Sequence, residues 1–433
     1  MIWNEKMECM SQEDLKNIQS ERLKDVCAYV YNHCPTYKKK FDTQGVGPFD
    51  VRSVDDIHKL PFTTKEDMRD SYPFGLFSTK VDQIQEIHVS SGTTGNPTVV
   101  GYTKEDLKLW SEVMARAFCC AGAVPGDMIQ IAYGYGLFTG GLGAHYGALE
   151  LGLTILPASS GQTKRQLKLM TDFKPRILAC TPSYALYMAE EARELCLDLR
   201  KSSWEIGVFG AEPWSESMRK EIESTWNMLA TDIYGLSEII GPGVAQECHH
   251  KTGLHIFSDV FYPEVIDAKT GKRAPAGSTG ELVITTLTKR GIPLIRYRTR
   301  DIVSIKYEKC RCGRTSPRIS KISGRTDDMI IVRGINVFPS QIEHVLLGIE
   351  GTQPHYQLIV DRQAGGLDEL EVWVEVEEKI FSDEISKLQV LEKKIQKEIE
   401  SVLGVNAKVK LVEPKTIKRS EGKAQRVVDK RSI

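Results

Sequence analysis

The chain has no excess of charge of either sign, because 57 Lys and Arg residues face 58 Asp and Glu residues among its 433 residues. General attraction to nucleic acid or to an anionic membrane is therefore excluded, and any binding of a polyanion must be local. No apolar run approaches the roughly 20 residues that a membrane-spanning helix needs. The first residues, 1–6, lack the basic and then apolar pattern of a signal peptide, so we expect a cytoplasmic protein with no membrane partner.

Regular cysteine spacing, internal repeats and low-complexity tracts are also missing. The 10 cysteines are scattered, which excludes a secreted disulfide scaffold and favours reduced thiols for most of them. With 433 residues and 41% hydrophobic content, the chain is long enough for two or three domains with buried cores.

The spacing of hydrophobic residues along the chain predicts an α/β fold. Residues up to about 80 are rich in helical patterns, with apolar residues at helical intervals over 15–30. Short apolar segments then alternate with helical stretches, which is typical of a partly parallel sheet covered by helices; they lie at 128–133, 176–180, 205–209 and 231–234. The pattern over 261–305 changes to strands and turns and predicts a β-rich lobe beside that sheet.

The last hundred residues predict a small α+β domain. Short strands are expected at 329–332, 357–360, 370–376 and 407–411. An amphipathic helix is expected to place six apolar side chains on one face: Ile385, Leu388, Leu391, Ile395, Ile399 and Val402. We therefore divide the chain into a large N-terminal domain, 1–326, and a C-terminal domain, 327–433.

A dense run of small residues predicts a loop around a polyphosphate: Ser90-Ser91-Gly92-Thr93-Thr94-Gly95-Asn96-Pro97. Glycine permits unusual backbone geometry, and hydroxyls supplement main-chain N–H groups in holding anionic oxygens. A strand over 84–89 and a helix over 104–117 are expected on either side. A Walker-type loop needs Lys and then Ser or Thr after its last glycine, but Asn96 and Pro97 follow here, so that interpretation is weakened. An ordinary surface loop is the alternative.

Five further segments follow this run in the order that the adenylate-forming superfamily shows, and the chain resembles most its phenylacetate–coenzyme A ligases. One such segment is weak evidence, but six in sequence are specific. The five are Gly210-Ala211-Glu212-Pro213, Tyr234-Gly235-Leu236-Ser237-Glu238, Tyr297-Arg298-Thr299-Arg300-Asp301, Gly324-Arg325-Thr326-Asp327-Asp328 and Gly422-Lys423-Ala424. The chain departs from the family at Asn96, where a lysine is usual.

The resemblance implies use of ATP, Mg²⁺ and coenzyme A. A carboxylate would first be joined to AMP and then passed to the coenzyme A thiol. Contacts with the cofactors are implied for Ser90, Ser91, Gly92, Thr93, Thr94, Gly95, Ala211, Glu212, Pro213, Tyr234, Ser237, Asp301, Arg325 and Gly334. Asp301 would accept hydrogen bonds from the ribose, Arg325 would reach the ribose or phosphate, and Glu238 would hold the metal. The alternatives are a structural ion pair with Arg298 or Arg300 for Asp301, a surface salt bridge for Arg325 and a solvated acid for Glu238.

The same resemblance implies that the C-terminal domain is mobile. Lys423 resembles the lysine that bridges the carboxylate and the α-phosphate during adenylation, although neighbouring basic residues also fit a solvated face. Asp327 resembles the hinge about which the small domain rotates between the two steps. Gly334 resembles the glycine that faces the pantetheine tunnel after that rotation, and a hairpin turn is its alternative.

The acid is expected to bind along 133–143, where aromatic residues alternate with glycines. Within 129–153 the only side chains that can carry charge are His145 and Glu150, so no cation there could pair with a second carboxylate. An aromatic monocarboxylate fits best, with Tyr135, Phe138, Gly140 and Gly210 lining the pocket. In the family that the chain resembles, the usual acid is phenylacetate. Indoleacetate, benzoate-like acids and longer arylalkanoic acids stay open. Packing in the core is the alternative role for the aromatic residues.

A separate cluster of soft ligands predicts a structural zinc site. Cys248, His255, Cys310 and Cys312 form two pairs of metal-ligand type, with His249 and His250 as alternative nitrogen donors. Ordinary reduced cysteines are the alternative, and no catalytic role is assigned to the cluster.

Two rival functions are kept beside an aryl-acid coenzyme A ligase. The first is an adenylating enzyme that passes the acyl group to a carrier protein. The second is a non-catalytic nucleotide-binding or zinc-stabilised scaffold. The expected partners are small molecules, with no nucleic acid, and a homodimer is left open.

Overall fold

A computed structural model describes residues 1–90, 96–325, 330–332, 335–362, 368–381, 385–420 and 424–431. The α-helices of this part of the chain are α1 (Glu5–Glu8), α2 (Gln12–His33), α3 (Pro35–Gln44), α4 (Lys65–Asp70), α5 (Lys104–Ala121), α6 (Thr139–Leu151), α7 (Thr163–Phe173), α8 (Pro182–Glu194), α9 (Glu216–Trp226), α10 (Pro339–Leu347), α11 (Glu378–Phe381) and α12 (Ile385–Leu403). Short 3₁₀ helices lie at Pro48–Asp50, Val54–Lys59, Val81–Gln83 and Leu199–Lys201.

The strands, numbered along the chain, are β1 (Glu86–Val89), β2 (Val99–Tyr102), β3 (Met128–Ile131), β4 (Thr154–Leu156), β5 (Ile177–Cys180), β6 (Ile206–Gly210), β7 (Leu229–Leu236), β8 (Gly241–Glu247), β9 (Leu254–Ile256), β10 (Phe261–Ile266), β11 (Gly280–Thr286), β12 (Tyr297–Val303), β13 (Ile305–Lys306), β14 (Arg318–Ile319), β15 (Ile330–Val332), β16 (Ile335–Val337), β17 (Thr352–Arg362), β18 (Asp368–Val376), β19 (Lys408–Val412) and β20 (Val427–Asp429).

The chain forms two compact units. The first contains Met1–Cys180, Ser202–Ala211 and Met228–Ile322. The second contains Thr181–Lys201, Glu212–Asn227 and Ser323–Ile433, so helices α8 and α9 belong to it although they precede β6 and β7 in sequence.

A nine-stranded sheet organises the first unit, with the order β13-β14-β9-β8-β7-β6-β5-β3-β4. Strands β4, β3, β5, β6 and β7 pair in parallel, and β8, β9, β14 and β13 continue the sheet in antiparallel fashion. The predicted parallel sheet is confirmed. A separate three-stranded antiparallel sheet, β10-β11-β12, confirms the predicted β-rich lobe.

The segments on either side of the Ser90–Pro97 run differ from the expectation. The helix after it begins at Lys104, as predicted, but a second strand, β2, precedes that helix. Strands β1 and β2 pair antiparallel, with Val89 opposite Val99. The run therefore connects two strands of a hairpin and is not a strand-to-helix loop.

Helix α5 shows how local sequence and packing combine. Thr103 and Asp106 form a capping box at its start, and Gly122 ends it in the left-handed region with φ of 111°. Its neighbour α6 carries glycines where the two helices meet. A Cβ atom on Gly147 would lie 2.1 Å from Met114 Cβ, and one on Gly143 would lie 2.3 Å from the Trp110 ring. These two glycines therefore serve helix packing.

The second unit contains a four-stranded sheet, β19-β18-β17-β20, and the two-stranded sheet β15-β16. Helix α12 buries Leu391, Ile395 and Ile399 in its core. The prediction for Val402 was wrong, because that side chain is 54% exposed and Leu403 packs into the core instead. In the described part of the chain, no helix is both long enough and apolar enough to cross a lipid bilayer.

Candidate active site

Ser90 closes the base of the glycine- and threonine-rich run. Its Oγ accepts a hydrogen bond from Thr98 N at 3.1 Å and lies 2.6 Å from Thr98 Oγ1, while its own N–H donates to Thr98 O at 2.9 Å. The ends of the run are thus held together by Ser90, whose Oγ accepts both of these contacts from Thr98. The predicted phosphate-contacting residues Ser91, Gly92, Thr93, Thr94 and Gly95 lie outside the described residues.

The structure brings Tyr234 and Asp301 together. The Tyr234 hydroxyl donates to Asp301 Oδ2 at 2.5 Å, and both side chains are buried. The Asp301 backbone N–H donates to Thr299 Oγ1 at 3.1 Å, a contact within β12. The structural pairing with Arg298 that we considered is not the arrangement here, since Arg298 binds both oxygens of Glu281 at 3.0 and 2.5 Å.

Glu238 lies in the turn between β7 and β8, and this turn is tightly fixed. The Glu238 side chain is only 8% exposed, and Lys65 Nζ lies 3.6 Å from its Oε1. The preceding Ser237 places its hydroxyl 3.1 Å from Thr139 Oγ1 at the start of α6. A buried carboxylate with one cation at ion-pair distance can also serve a divalent cation.

The end of β6 needs glycine. A Cβ atom on Gly210 would lie 2.4 Å from Ile233 O of the neighbouring strand, so a larger residue would push the strands apart. Ala211, which follows, adopts a left-handed backbone with φ of 70°. Such strained conformations cluster at ligand sites. Gly210 therefore has a packing role, whatever its relation to the acid pocket.

The second unit has a cavity of about 370 Å³ that brings three predicted nucleotide-contacting residues together. Glu212, Pro213 and Arg325 line it. Further lining residues come from α10, β17 and the segment at 424–431.

The carboxylate of Glu212 joins two distant backbone segments of the second unit. Its Oε1 accepts from Ser183 N at the start of α8 at 2.8 Å, and its Oε2 accepts from Ala424 N at 3.0 Å. Ala424 follows the predicted catalytic residue Lys423, which lies outside the described residues together with Asp327 and Gly334. The chain next to Lys423 is thus attached to a predicted nucleotide-contacting residue.

A buried carboxylate that also lines this cavity is held by several donors. Glu343 accepts from Ser215 N at 3.0 Å and lies 3.7 Å from Arg426 Nη2. The Arg426 guanidinium also stacks on the Tyr356 ring, 4.4 Å from its centroid. Burial raises the pKa of Glu343, and the charge of Arg426 opposes this effect.

The segment that precedes Lys423 is fixed by an ion-pair network that sequence patterns did not reveal. Arg419 binds both oxygens of Glu375 at 2.8 Å and both oxygens of Glu190 at 3.0 and 3.1 Å. His355 Nε2 donates to the same Glu190 at 2.5 Å. Glu375 is fully buried and also accepts the backbone N–H groups of Lys415 and Ile417.

The predicted acid-pocket residues differ in exposure. Tyr135 is half-buried, its hydroxyl lies 3.3 Å from His145 Nδ1, and burial raises its pKa to about 12. Phe138 is 57% exposed just before α6. A Cβ atom on Gly140 would meet the Tyr133 side chain at 3.7 Å, an ordinary contact, so packing does not require glycine there. Gly140 can therefore serve to leave room for a ligand.

The four predicted metal ligands converge in the first unit. Their ligand atoms all lie within 4.8 Å of one another, with Cys248 Sγ 3.8 Å from Cys310 Sγ and Cys312 Sγ 3.5 Å from His255 Nε2. Tetrahedral zinc with Zn–S bonds of about 2.3 Å places sulfur atoms about 3.8 Å apart. Hydrogen bonding with Cys248 and His255 lowers the pKa of Cys312. The four side chains therefore form a set of donors of the kind that binds a tetrahedral ion.

Comparison with known proteins agrees with this architecture. The family model of the AMP-binding enzymes matches residues 48–288, and the model of the AMP-binding enzyme C-terminal domain matches residues 334–431. A phenylacetate–coenzyme A ligase of Thermus thermophilus is 49% identical over 100% of both chains. One of Escherichia coli is 48% identical, over 100% of this chain and 99% of its own.

A solved structure adds a comparison at the level of the fold. A 2-hydroxyisobutyryl-CoA ligase, crystallised in its postadenylation state with R3-HIB-AMP, has a TM-score of 0.92 and 30% identity. The match covers 98% of this chain and 91% of that one.

Proposed function

Because the chain belongs to the phenylacetate–coenzyme A ligases, a family of AMP-binding enzymes, we propose a role for each of the side chains described above. The reaction has two steps. A carboxylate oxygen first attacks the α-phosphorus of ATP, the bond to the β-phosphate breaks, and pyrophosphate leaves. The coenzyme A thiol then attacks the acyl carbon, the bond to AMP breaks, and the thiol proton is lost.

In the first step, Asp301 would hold the ribose and Glu238 the cation that accompanies the triphosphate. A carboxylate accepts two ribose O–H groups without offering a competing donor, and Tyr234 orients it from the other side. The residues of the second-unit cavity, Glu212, Pro213 and Arg325, would contact the adenine and the ribose or phosphate.

Magnesium fits Glu238. Mg²⁺ in such sites is bound by one or two carboxylates together with substrate phosphates and water. Glu238 supplies one buried carboxylate beside Lys65, a cation suited to the same phosphates. When bound, the ion would neutralise charge that develops on the departing pyrophosphate.

Lys423 would act only in the first step. A lysine between the carboxylate and the α-phosphate stabilises the charge of the transition state, and it must then withdraw to admit coenzyme A. We assign Asp327 to the hinge of this motion and Gly334 to the pantetheine tunnel. Lys423→Ala should abolish formation of the adenylate while a supplied acyl-adenylate is still converted to the thioester; equal loss of both half-reactions would contradict the assignment.

Phenylacetate is the acid that we propose, and the full-length identity to phenylacetate–coenzyme A ligases carries this choice. The half-buried Tyr135 and the uncrowded Gly140 support an aromatic ring. The fold alone does not decide, because the solved relative acts on a short hydroxy acid.

The decisive test is AMP release from ATP with a panel of acids, each assayed with and without coenzyme A. We expect phenylacetate to give the highest kcat/KM, and release of free acyl–coenzyme A separates this function from transfer to a carrier protein. A clear preference for benzoate, indoleacetate or an aliphatic acid would refute the assignment of substrate.

We also propose a structural zinc ion at Cys248, His255, Cys310 and Cys312. His255 Nδ1 lies 3.2 Å from Ser316 Oγ, which fixes the ring as outer partners of zinc ligands do. Two residues beyond Cys312, the buried Arg314 pairs with Glu8 at 2.5 Å. The ion would therefore stabilise the connection between this turn and the N-terminal residues.

Metal analysis of tag-free protein tests the zinc proposal. About one zinc per chain is expected, and Cys312→Ser should lower both the zinc content and the thermal stability. Cys196→Ser, at an exposed cysteine away from the cluster, is the matched control. Far less than one zinc per chain in the unaltered protein would remove the proposal. The cytoplasmic location stays a prediction, and the question of a homodimer stays open.

A further inference from the structure

Lys289 is a fully buried lysine that no motif identified and that the proposed chemistry does not use. It lies in the connection between β11 and β12. Its Nζ donates to Ile239 O at 2.8 Å and lies 3.5 Å from Glu238 O. Both acceptors belong to the turn that carries the proposed metal-binding carboxylate.

A buried ammonium is costly unless several groups compensate it, so its partners indicate what it does. The face of the Tyr102 ring lies 4.8 Å below Nζ, and Asp106 and Glu238 add favourable charge. Burial lowers the pKa of Lys289 against these effects, and the two carbonyl oxygens at 2.8 and 3.5 Å from Nζ are the acceptors that a donor needs. A protonated lysine can donate to two carbonyls at once, which an apolar side chain cannot.

The backbone from which Lys289 extends is itself fixed. Asp106, at the start of α5, accepts the N–H groups of Arg290 and Gly291 at 2.7 Å each. A Cβ atom on Gly291 would lie 2.5 Å from Gly101 O, so this connection packs directly on β2. Lys289 therefore spans from a rigid base to the turn at 237–240.

We propose that Lys289 is a positioning residue that holds the backbone of Glu238 and Ile239, so that the Glu238 carboxylate is presented to the divalent cation of the bound nucleotide. The inference rests on the proposed metal role of Glu238. The inference extends the role of Glu238, because Lys289 contacts only the backbone carbonyl groups of the turn. The Glu238 carboxylate stays available to the cation.

The experiment measures cation binding directly. Mn²⁺ replaces Mg²⁺, α,β-methylene-ATP serves as a nucleotide that cannot be cleaved at the reacting bond, and electron paramagnetic resonance reports free Mn²⁺. Lys289→Met should weaken Mn²⁺ binding in this ternary complex at least tenfold. The KM for the metal–ATP complex should rise in parallel, while conversion of supplied acyl-adenylate to the thioester stays within twofold of the unaltered enzyme.

Two matched controls separate positioning from general damage. Arg290→Met alters the next side chain, which pairs with Asp25 and lies over Tyr29, and should leave Mn²⁺ binding within twofold. Because Lys289→Met could fail to fold, Tyr102→Leu provides a second perturbation that removes the ring beneath Nζ. Tyr102→Phe keeps that ring and should behave as the unaltered enzyme, whereas Tyr102→Leu should weaken Mn²⁺ binding at least threefold.

Glu238→Gln completes the series. Weak Mn²⁺ binding in Glu238→Gln with normal binding in folded Lys289→Met would overturn this inference alone. Normal binding in Glu238→Gln would overturn the metal role of Glu238 and this inference with it. Absence of acid-dependent pyrophosphate exchange in the unaltered enzyme would refute the proposed function itself. If Lys289→Met does not fold, equal Mn²⁺ binding by Tyr102→Leu and Tyr102→Phe overturns the inference.

Discussion

Glu375→Gln should loosen the segment that precedes Lys423. The Glu375 carboxylate is fully buried and accepts hydrogen bonds at both oxygens. Oε1 accepts from Ile417 N and Arg419 Nη1, both at 2.8 Å, while Oε2 accepts from Lys415 N at 3.0 Å and Arg419 Nη2 at 2.8 Å. Glutamine keeps one acceptor oxygen and turns an NH₂ group toward two donors, so two of these bonds are lost.

The cost follows from the charge and the burial of the pair. A hydrogen bond to a charged group is worth about 1.5–3 kcal/mol, and removing one partner of a buried ion pair costs about 3–5 kcal/mol. Glu190 still faces Arg419 in the variant, so we expect the lower end, about 3 kcal/mol. Since 1.4 kcal/mol is a factor of ten, this corresponds to roughly a 100-fold change in a local opening equilibrium.

Hydrogen exchange measured by mass spectrometry on a peptide spanning 413–420 provides the assay. The N–H groups of Lys415 and Ile417 donate to Glu375, and we expect faster exchange at one or both. Adenylation should slow, while a supplied acyl-adenylate is converted to the thioester at nearly the normal rate. Glu194→Gln is the matched control, because Glu194 pairs with Lys415 at an exposed position and should change exchange less than threefold.

Unchanged exchange in Glu375→Gln would show that the buried carboxylate does not hold this segment. Faster exchange with normal adenylation would show that the segment does not position Lys423. The two results refute different steps of the reasoning.

Three further predictions concern other parts of the chain. Tyr234→Phe removes the 2.5 Å hydrogen bond to the buried Asp301, so it should lower the stability by about 1.5–3 kcal/mol and raise the KM for ATP about tenfold or more in steady-state assays. Gly147→Ala should lower stability by about 1–3 kcal/mol in denaturant titrations, because its Cβ would lie 2.1 Å from Met114 Cβ, whereas Gly140→Ala should not. Burial lowers the pKa of His355, so the unfolded chain binds its proton first and stability should fall below about pH 6.5; this slope should be smaller in His355→Gln thermal scans.

Much of the fold could be predicted because it depends on local periodicity. Four of the five parallel strands were recognised as short apolar segments between helical stretches, whereas β4 was missed, and the β-rich lobe was recognised from the strand and turn pattern over 261–305. Strand β2 was missed because it has four residues and includes Gly101. A Cβ atom on Gly101 would lie 2.5 Å from the Phe77 ring, so this glycine reflects a contact distant in sequence. Periodicity could not choose between Val402 and Leu403, since both continue the face of α12 that contains Ile399.

The sequence allowed the residues of the candidate site to be proposed motif by motif, but it did not reveal the contacts between those residues. Tyr234 and Asp301 were assigned to the nucleotide individually, but the hydrogen bond between them joins two strands of different sheets. Glu375 alternates with apolar residues along β18 and so had the pattern of a solvent-facing acid. It is buried because the segment at 415–419 covers it. Lys289 stands in Thr288-Lys289-Arg290-Gly291, which has the composition of a solvated turn.

The buried charges of the two units share one arrangement. Lys289 binds the carbonyl groups of the turn that carries Glu238, and Glu375 binds the N–H groups of the segment that leads toward Lys423. In each case a charged side chain forms hydrogen bonds with the backbone near a proposed functional residue. The side chain of that functional residue takes no part in these hydrogen bonds. Buried ion pairs contribute little net stability compared with apolar packing, so stability alone does not explain why these positions carry charge. Directional hydrogen bonds to backbone do explain it, because apolar contacts fix distance but not the orientation of a peptide group. The charges therefore serve to orient the backbone of the turn that carries Glu238 and of the segment at 415–417.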